Sequence, residues 1–228
     1  MTDGKTLRSV LFDLDGTLLD TAPDLAAALN HALTSQGRKA LDFETIRPWV
    51  SHGGIVLVKK GFGIDTDHPE FDVYRDQLLD YYRNNLAVHT RLFPGMAEVL
   101  DELDASGIKW GVVTNKPAWL TEPLVEQTGL LERCACVVSG DTLKERKPHP
   151  APLQHACKLI GCRENESLYI GDAARDIEAG NNASMPTLVA LFGYIGADDN
   201  PDTWGASGMV KQPADILKWL NKHFTVRA

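Results

Sequence analysis

Two pairs of aspartates have the spacing of groups that act together on a phosphate. Asp13 and Asp15 stand two residues apart, directly after an apolar run, so both side chains leave a strand on the same face. Asp172 and Asp176 follow another apolar run and are separated by one helical turn. Carboxylate oxygens are the ligands that Mg²⁺ prefers. A carboxylate can also attack phosphorus to form an acyl phosphate, and a second one can move the proton.

Other polar residues supply what a phosphate group needs. Thr114 and Asn115 follow the apolar run Trp110–Val113, and a Thr hydroxyl with nearby backbone N–H groups can hold phosphate oxygens. Lys147 precedes Pro148 in a stiff loop, where it can serve as a fixed positive charge. Taken singly, these segments also fit an Asp-Gly turn, helix caps and a surface lysine. Together they form a set for phosphoryl transfer.

These segments share a position because each follows a predicted strand or its loop. Short apolar runs predict buried parallel strands at Ser9–Asp13, Trp110–Thr114, Cys136–Ser139, Leu168–Gly171 and Thr187–Leu191. Amphipathic helices are predicted between them, near residues 96–106, 120–128 and 153–160, with a final helix after Pro213. The alternation predicts an α/β fold with a doubly wound, Rossmann-like parallel sheet. Ligands bind outside the carboxyl ends of such strands, where all four segments would meet.

One stretch departs from the alternation. Residues 18–92 contain no convincing strand and show amphipathic helices, divided by turn signals at His52–Gly54 and Gly61–Gly63. We therefore expect a helical cap inserted after the first strand, formed by residues 18–92, on an α/β core formed by residues 1–17 and 93–228.

The segments resemble the motifs of the haloacid dehalogenase superfamily. They are D-x-D-G-T at 13–17, Thr114 at a strand end, K-P-x-P at 147–150 and G-D-x-x-x-D at 171–176. The resemblance spans nearly the whole chain and implies a type-1 cap that closes over the site. The residues alone leave open which acid of the first pair is the nucleophile.

The resemblance implies a role for each of these residues. Asp13 is expected to be the nucleophile and Asp15 the general acid/base, while Thr114, with Asn115, and Lys147 hold the phosphate. Mg²⁺ is expected on Asp13, on the carbonyl of Asp15 and on Asp172, with Asp176 assisting.

The reaction that the resemblance implies is hydrolysis of a small phosphate ester through an aspartyl phosphate. Asp15 disfavours dehalogenation, because the dehalogenases lack this second acid. The chain is similar to the phosphoglycolate phosphatase branch, and segments 88–95, 110–117 and 193–205 are similar to N-acetylmuramic acid 6-phosphate phosphatases. A phosphosugar mutase and, from another class, a receiver-like phosphate-signalling protein stay open as alternatives.

Substrate selection is expected to involve polar residues of the cap. Arg47, Ser51 and His52 lie near the Gly53–Gly54 turn, and Arg47 could hold a substrate carboxylate with its two terminal nitrogens. Weaker candidates are His89, Arg91 and Tyr194, and Trp49 is an aromatic candidate in the cap. Arg175 is expected to form surface or hinge ion pairs.

Composition excludes several classes. With 23 Lys and Arg against 31 Asp and Glu, the 228-residue chain carries a net charge of −8, which argues against general binding to nucleic acid or anionic membranes. No apolar run is long enough to span a membrane, and polar Met1–Lys5 does not suit a signal peptide. The four cysteines match no common zinc pattern and predict thiols in a reducing cytoplasm. The sequence does not predict the oligomeric state.

Overall fold

The structure, a computed structural model, describes residues 6–224. Met1–Lys5, which argued against a signal peptide, lies outside the described residues, as do residues 225–228 at the end of the predicted core. Within 6–224, no helix is long and apolar enough to cross a membrane.

The strands form one parallel sheet and one short antiparallel ribbon. In chain order they are β1 (Ser9–Phe12), β2 (Leu19–Asp20), β3 (Arg91–Leu92), β4 (Lys109–Val113), β5 (Val137–Val138), β6 (Ser167–Gly171), β7 (Thr187–Ala190) and β8 (Gly208–Val210). Across residues 6–224 the parallel sheet has the order β5-β4-β1-β6-β7-β8. The central strand β1 therefore lies between the strands that precede Thr114 and Asp172.

The segment between β2 and β3 is helical. It contains α1 (Ala22–Ser35), α2 (Phe43–Ile46), a 3-10 helix (Arg47–His52), α3 (Gly53–Phe62) and α4 (Phe71–Asn84). Helices α1, α3 and α4 pack together through apolar faces, with Leu29, Leu57, Leu78 and Tyr82 fully buried. The sequence spacing predicted these faces for α1 and α4.

The remaining helices flank the parallel sheet. They are α5 (Met96–Ala105), α6 (Ala118–Gln127), α7 (Ala151–Ile160), α8 (Ala174–Asn182) and α9 (Ala214–His223). Strands β1, β6 and β7 are buried along their whole length, because helices cover both faces of the sheet. The predicted α/β fold, a parallel sheet with a helical insertion after the first strand, is confirmed.

The predicted turn signals at His52–Gly54 and Gly61–Gly63 do divide helices, because α3 begins at Gly53 and ends before Gly63. Gly61 lies inside α3, where an added Cβ would stand 2.7 Å from Leu29 Cδ1, so its small size permits α3 to approach α1. The prediction that residues 18–92 contain no strand was wrong, because Leu19 faces Leu92 and Asp20 faces Arg91 in the short ribbon. Strand β8 was missed, since it is short and its first residues are partly exposed.

Candidate active site

The turn after β1 holds Asp13 at the centre of the sheet. Its N–H donates to Ile170 O on β6 at 2.8 Å, and Asp13 Oδ1 accepts from the N–H of Leu14 at 2.7 Å. Gly16 follows with φ of +82°, and an added Cβ would lie 2.2 Å from Asp172 Oδ2. The motif therefore needs glycine here, both for its backbone conformation and for the approach of Asp172.

Asp172 directly follows β6 and is buried at the same edge of the sheet. Its Oδ1 accepts from Thr17 Oγ1 at 3.2 Å, while its Oδ2 accepts from Ser51 Oγ at 2.6 Å and from the N–H of Tyr194 at 2.9 Å. Asp172 thus joins both the core and the helical segment, which contributes Ser51.

Asp176 lies in the first turn of α8. Its Oδ2 accepts from the N–H of Ala173 at 3.0 Å, so it also caps this helix. The residue before Asp172 is Gly171, where an added Cβ would stand 2.4 Å from Asp176 Cβ. This close packing brings the carboxylate of Asp176 close to those of Asp172 and Asp13.

Lys147 supplies a buried positive charge to the cluster. Its Nζ lies 3.0 Å from Asp13 Oδ1 and 2.8 Å from Asp176 Oδ1, and it also donates to Val113 O and Tyr169 Oη. Only 2% of the residue is exposed. Burial of an unpaired ammonium would be costly, so these partners determine where the side chain lies.

Three carboxylates meet where one lysine cannot neutralise them. Asp13, Asp172 and Asp176 each offer an oxygen within 4.8 Å of the others. Burial raises the pKa of Asp172 to about 7, with added repulsion from Asp13 and Asp176. Burial and the charge of Asp176 also raise the pKa of Asp13. Against the same burial, Lys147 and Arg175 hold the pKa of Asp176 below its usual range. This all-oxygen, charge-dense cluster fits a hard divalent cation.

The carboxylate of Asp15 lies apart from this cluster. Its Oδ1 accepts from Thr21 Oγ1 at 2.6 Å and from Lys116 Nζ at 2.9 Å. Four acids were predicted at the metal. The structure groups the side chains of Asp13, Asp172 and Asp176, whereas the side chain of Asp15 points to Lys116 and Thr21 at another part of the cavity. The carbonyl of Asp15, rather than its carboxylate, is the group that the family motif assigns to the metal.

Thr114 and Asn115 both line the cavity above Asp13 but differ in what their side chains do. Thr114 is buried, and its Oγ1 accepts from the N–H of Lys116 at 3.2 Å. The amide of Asn115 makes reciprocal hydrogen bonds with the backbone of Lys147, at 2.9 and 3.0 Å. Asn115 therefore holds the lysine loop, a contact that sequence reasoning did not anticipate when it assigned Asn115 to phosphate.

The cap residues predicted to select substrate divide into two groups. Ser51 contacts Asp172, and His52 lines the cavity beside it. Arg47 instead donates to Gly193 O and Phe192 O, both at 3.1 Å, and its guanidinium carbon lies 5.0 Å from the centre of the Tyr194 ring. Arg47 thus fastens the helical segment to a core loop, and its guanidinium does not reach the cavity wall.

The weaker candidates have structural contacts. The backbone N–H of His89 donates to Asp24, and Arg91 donates to carbonyls of its own loop. Tyr194 is buried and donates to Asp20 Oδ1 at 2.7 Å, while Trp49 packs against the apolar core.

Arg175 was expected to form surface or hinge ion pairs, but its contact between the two segments is a hydrogen bond to a backbone carbonyl. Its guanidinium donates to Ser51 O, and the side chain also lines the cavity. This contact adds a second connection between the core and the 3-10 helix that carries Ser51.

A cavity of about 520 Å³ separates the helical segment from the strand ends. Sequence reasoning missed several of its walls: Tyr82, Lys116, Trp119, Arg75 and Arg146. Lys116 directly follows the Thr114–Asn115 segment and Trp119 comes three residues later, so proximity to that motif was the available signal. Tyr82 and Arg75 lie on α4 and reach the cavity only through helix packing.

Comparisons with known proteins agree with this geometry. A sequence model of the haloacid dehalogenase-like hydrolase family matches residues 10–190. An N-acetylmuramic acid 6-phosphate phosphatase of Pseudomonas putida is 42% identical, with 94% of this chain and 96% of the relative covered. A phosphoglycolate phosphatase of Xanthomonas campestris is 41% identical, with 92% and 94% covered.

Solved structures give the same result. A predicted phosphoglycolate phosphatase from Haemophilus somnus superposes with a TM-score of 0.82 at 30% identity, covering 93% of this chain and 97% of that one. The chain therefore belongs to the haloacid dehalogenase-like hydrolase family, and it is a phosphatase of the phosphoglycolate phosphatase-like group.

Proposed function

We propose that the enzyme is a Mg²⁺-dependent phosphomonoesterase that works through an aspartyl phosphate on Asp13. The observation that carries this proposal is the buried acid cluster beside Lys147, with Asp15 held separately at the same cavity. One carboxylate is thereby available to attack, and another to exchange protons. In this proposal the cap is residues 18–92 and the core is residues 1–17 and 93–228.

The proposed reaction has two steps. Asp13 Oδ attacks phosphorus as the bond to the leaving oxygen breaks, and Asp15 gives its proton to that oxygen. Asp15 then takes a proton from water as the water oxygen attacks phosphorus and releases Asp13. Thr114 and Lys147 hold the phosphate oxygens. Asp13, Asp172, Asp176 and the carbonyl of Asp15 would hold Mg²⁺, which offsets negative charge on the phosphoryl group.

The substrate that we propose is a carboxylated sugar phosphate, and N-acetylmuramic acid 6-phosphate is the leading candidate. A cavity of about 520 Å³ is large enough to hold a sugar phosphate. Trp119, which is 43% exposed, offers an aromatic face for a sugar ring, and the guanidinium groups of Arg75 and Arg146 suit a carboxylate. The name of the Pseudomonas putida relative gives independent support.

Phosphoglycolate is the second candidate substrate. It also carries a carboxylate that Arg75 or Arg146 can bind, and several relatives are named phosphoglycolate phosphatases. The exposed face of Trp119 favours the larger ester. The names of the relatives favour hydrolysis over the mutase and signalling alternatives.

A rate comparison tests the substrate. We expect kcat/KM for N-acetylmuramic acid 6-phosphate to exceed that for phosphoglycolate by about 100-fold or more, or roughly 2.7 kcal/mol of discrimination. N-acetylglucosamine 6-phosphate, which lacks the carboxylate, is the matched control and should fall in between. A preference for phosphoglycolate would support the second candidate. Transfer of phosphate to sugar rather than water would show a mutase.

The compartment that we propose is the cytoplasm. All four cysteines, each within the described residues, are free thiols, as is usual in a reducing compartment.

A further inference from the structure

Lys116 connects Asp15 to the helical cap. Its Nζ donates to Asp15 Oδ1 at 2.9 Å and to Tyr82 Oη at 2.8 Å, and it lies 4.5 Å from the centre of the Tyr82 ring. Tyr82 belongs to α4, whereas Lys116 follows β4 and Asp15 follows β1. One ammonium group therefore contacts the cap and two strand-end loops of the core.

This contact is buried, so its geometry is strongly determined. The side chains of Lys116 and Asp15 are 7% and 17% exposed. Desolvation alone would lower the pKa of Lys116, but Asp15 and Tyr82 outweigh it and raise that pKa, so the amine stays charged. Burial raises the pKa of Tyr82 to about 12, so its phenol stays neutral and accepts from Lys116. Removing either partner of a buried ion pair leaves the other charge without compensation.

The ion pair also fixes one oxygen of Asp15. Thr21 Oγ1 and Lys116 Nζ both donate to Oδ1. Two donors on a single oxygen restrict rotation of the carboxylate and leave Oδ2 as the oxygen for proton exchange. Thr21 alone would still allow the carboxylate to turn about one hydrogen bond.

We propose that Lys116 is a positioning residue that aligns the Asp15 carboxylate for proton transfer, and that Tyr82 makes this alignment depend on the cap being seated on the core. The inference rests on the proposed function, because it assigns no chemistry to Lys116 itself. Both proton transfers of Asp15 then occur with the cap closed, when Tyr82 contacts Lys116.

The experiment separates the two chemical steps with p-nitrophenyl phosphate. Its leaving group needs no proton, so formation of the aspartyl phosphate does not require Asp15, whereas attack by water does. For Lys116→Met with Mg²⁺, we expect the burst rate constant to stay within about threefold of wild type. Steady-state turnover should fall by about 10- to 100-fold. Asp15→Asn should show the same pattern more strongly.

An alkyl ester provides the second readout. Its leaving alkoxide needs a proton, so with N-acetylglucosamine 6-phosphate the Lys116→Met variant should lose about 10- to 100-fold in kcat without a burst. Tyr82→Phe removes only the hydroxyl and should show the same pattern, at about three- to tenfold. If Lys116→Met does not fold, Tyr82→Phe and Asp15→Asn carry the test.

Lys158→Met is the control, because Lys158 is an exposed lysine of α7 that does not line the cavity. It should behave as wild type. A higher KM with unchanged kcat would overturn the inference and make Lys116 a substrate-binding residue. Equal loss of burst and steady-state rates, or no loss, would also overturn it. Failure of the wild-type enzyme to hydrolyse either ester with Mg²⁺ would instead overturn the proposed function, and this inference with it.

Discussion

The strand-end cluster and the wall contributed by the helical segment face the same cavity but are built differently. Asp13, Asp172, Asp176 and Lys147 are almost fully buried, and each has at least two short polar contacts. On the opposite wall, Ile55 is 51% exposed and Arg75 is partly exposed, with surface acids as its ion-pair partners. The groups that we propose to react are therefore held rigidly, whereas the exposed groups on the helical wall are free to adapt.

The difference follows from the cost of burying charge. A buried carboxylate must be paired, protonated or bound to a cation, so each position in the cluster constrains the others. An exposed arginine meets no such requirement, and its surface ion pairs add little free energy. Chemistry and specificity should accordingly respond differently to substitution.

The largest effect should come from Asp13→Asn, which tests the rigid side. Without a nucleophile, turnover should fall by at least about 1,000-fold. The melting temperature should stay within about 3 °C, because the lost contact with Lys147 is offset by removal of a buried charge. Steady-state kinetics and thermal melts measure both. Asp202→Asn, at an exposed position, is the control. Substantial residual turnover would assign the nucleophile elsewhere.

Both the metal ion and pH should act on the carboxylate cluster, the first on turnover and the second on the free energy of unfolding. Chelation should abolish turnover, and Mg²⁺ should restore it. Since burial raises the pKa of Asp172 to about 7, the folded metal-free protein retains a proton that the unfolded chain loses near its usual pKa of 3.8. The contribution of Asp172 to the free energy of unfolding therefore falls as pH rises from about 4 to 7. Above about pH 7 this contribution does not change further.

Cation binding releases that proton, so Mg²⁺ should stabilise the protein more at higher pH. In thermal melts, about 10 mM Mg²⁺ should raise the melting temperature more at about pH 8 than at about pH 6. Asp172→Asn should remove most of this difference. An equal shift at both pH values in the wild-type protein would mean that Asp172 does not hold the cation.

The smallest effects on chemistry should come from the helical segment, in which Arg47 anchors the segment to the core and His52 lines the cavity. Arg47→Met removes two hydrogen bonds to the 192–193 carbonyls and should cost about 1–3 kcal/mol of stability, with substrate preference unchanged. His52→Ala should change KM by a few-fold and leave the melting temperature unchanged, because His52 is exposed and lines the cavity. Denaturant melts and substrate comparisons give both values. If Arg47→Met alters the preference among esters without destabilising the protein, Arg47 acts on substrate selection and is not a structural anchor of the helical segment.

The sequence predicted the rigid side better than the adaptable side for a physical reason. Asp13, Thr114 and Asp172 each directly follow an apolar strand, and parallel strands bring their carboxyl ends to the same edge of the sheet. Asn115 shows the limit, since its amide holds the backbone of Lys147, a partner 32 residues away. Its neighbourhood was predictable, but its hydrogen bonds were not.

The helical wall depends on how helices dock, which sequence spacing does not specify. The periodicity of α4 predicted that Tyr82 is buried, but it could not show that its hydroxyl meets Lys116. Arg47 was a candidate to hold a substrate carboxylate and instead donates to two core carbonyls, those of Phe192 and Gly193. Such contacts join residues distant in the chain and appear only when the whole fold is assembled.

The small ribbon has a consequence for how such an enzyme changes during evolution. Because Leu19 faces Leu92 and Asp20 faces Arg91, the chain leaves the core and returns to it at adjacent positions. The whole segment between them can therefore be exchanged as a cassette, or shortened to a hairpin turn, without moving β1 or β4. A new cassette would have to supply a hydroxyl for Asp172, a carbonyl for Arg175 and a hydroxyl for Lys116, as Ser51 and Tyr82 do here. The same catalytic strand ends can thus serve different substrates.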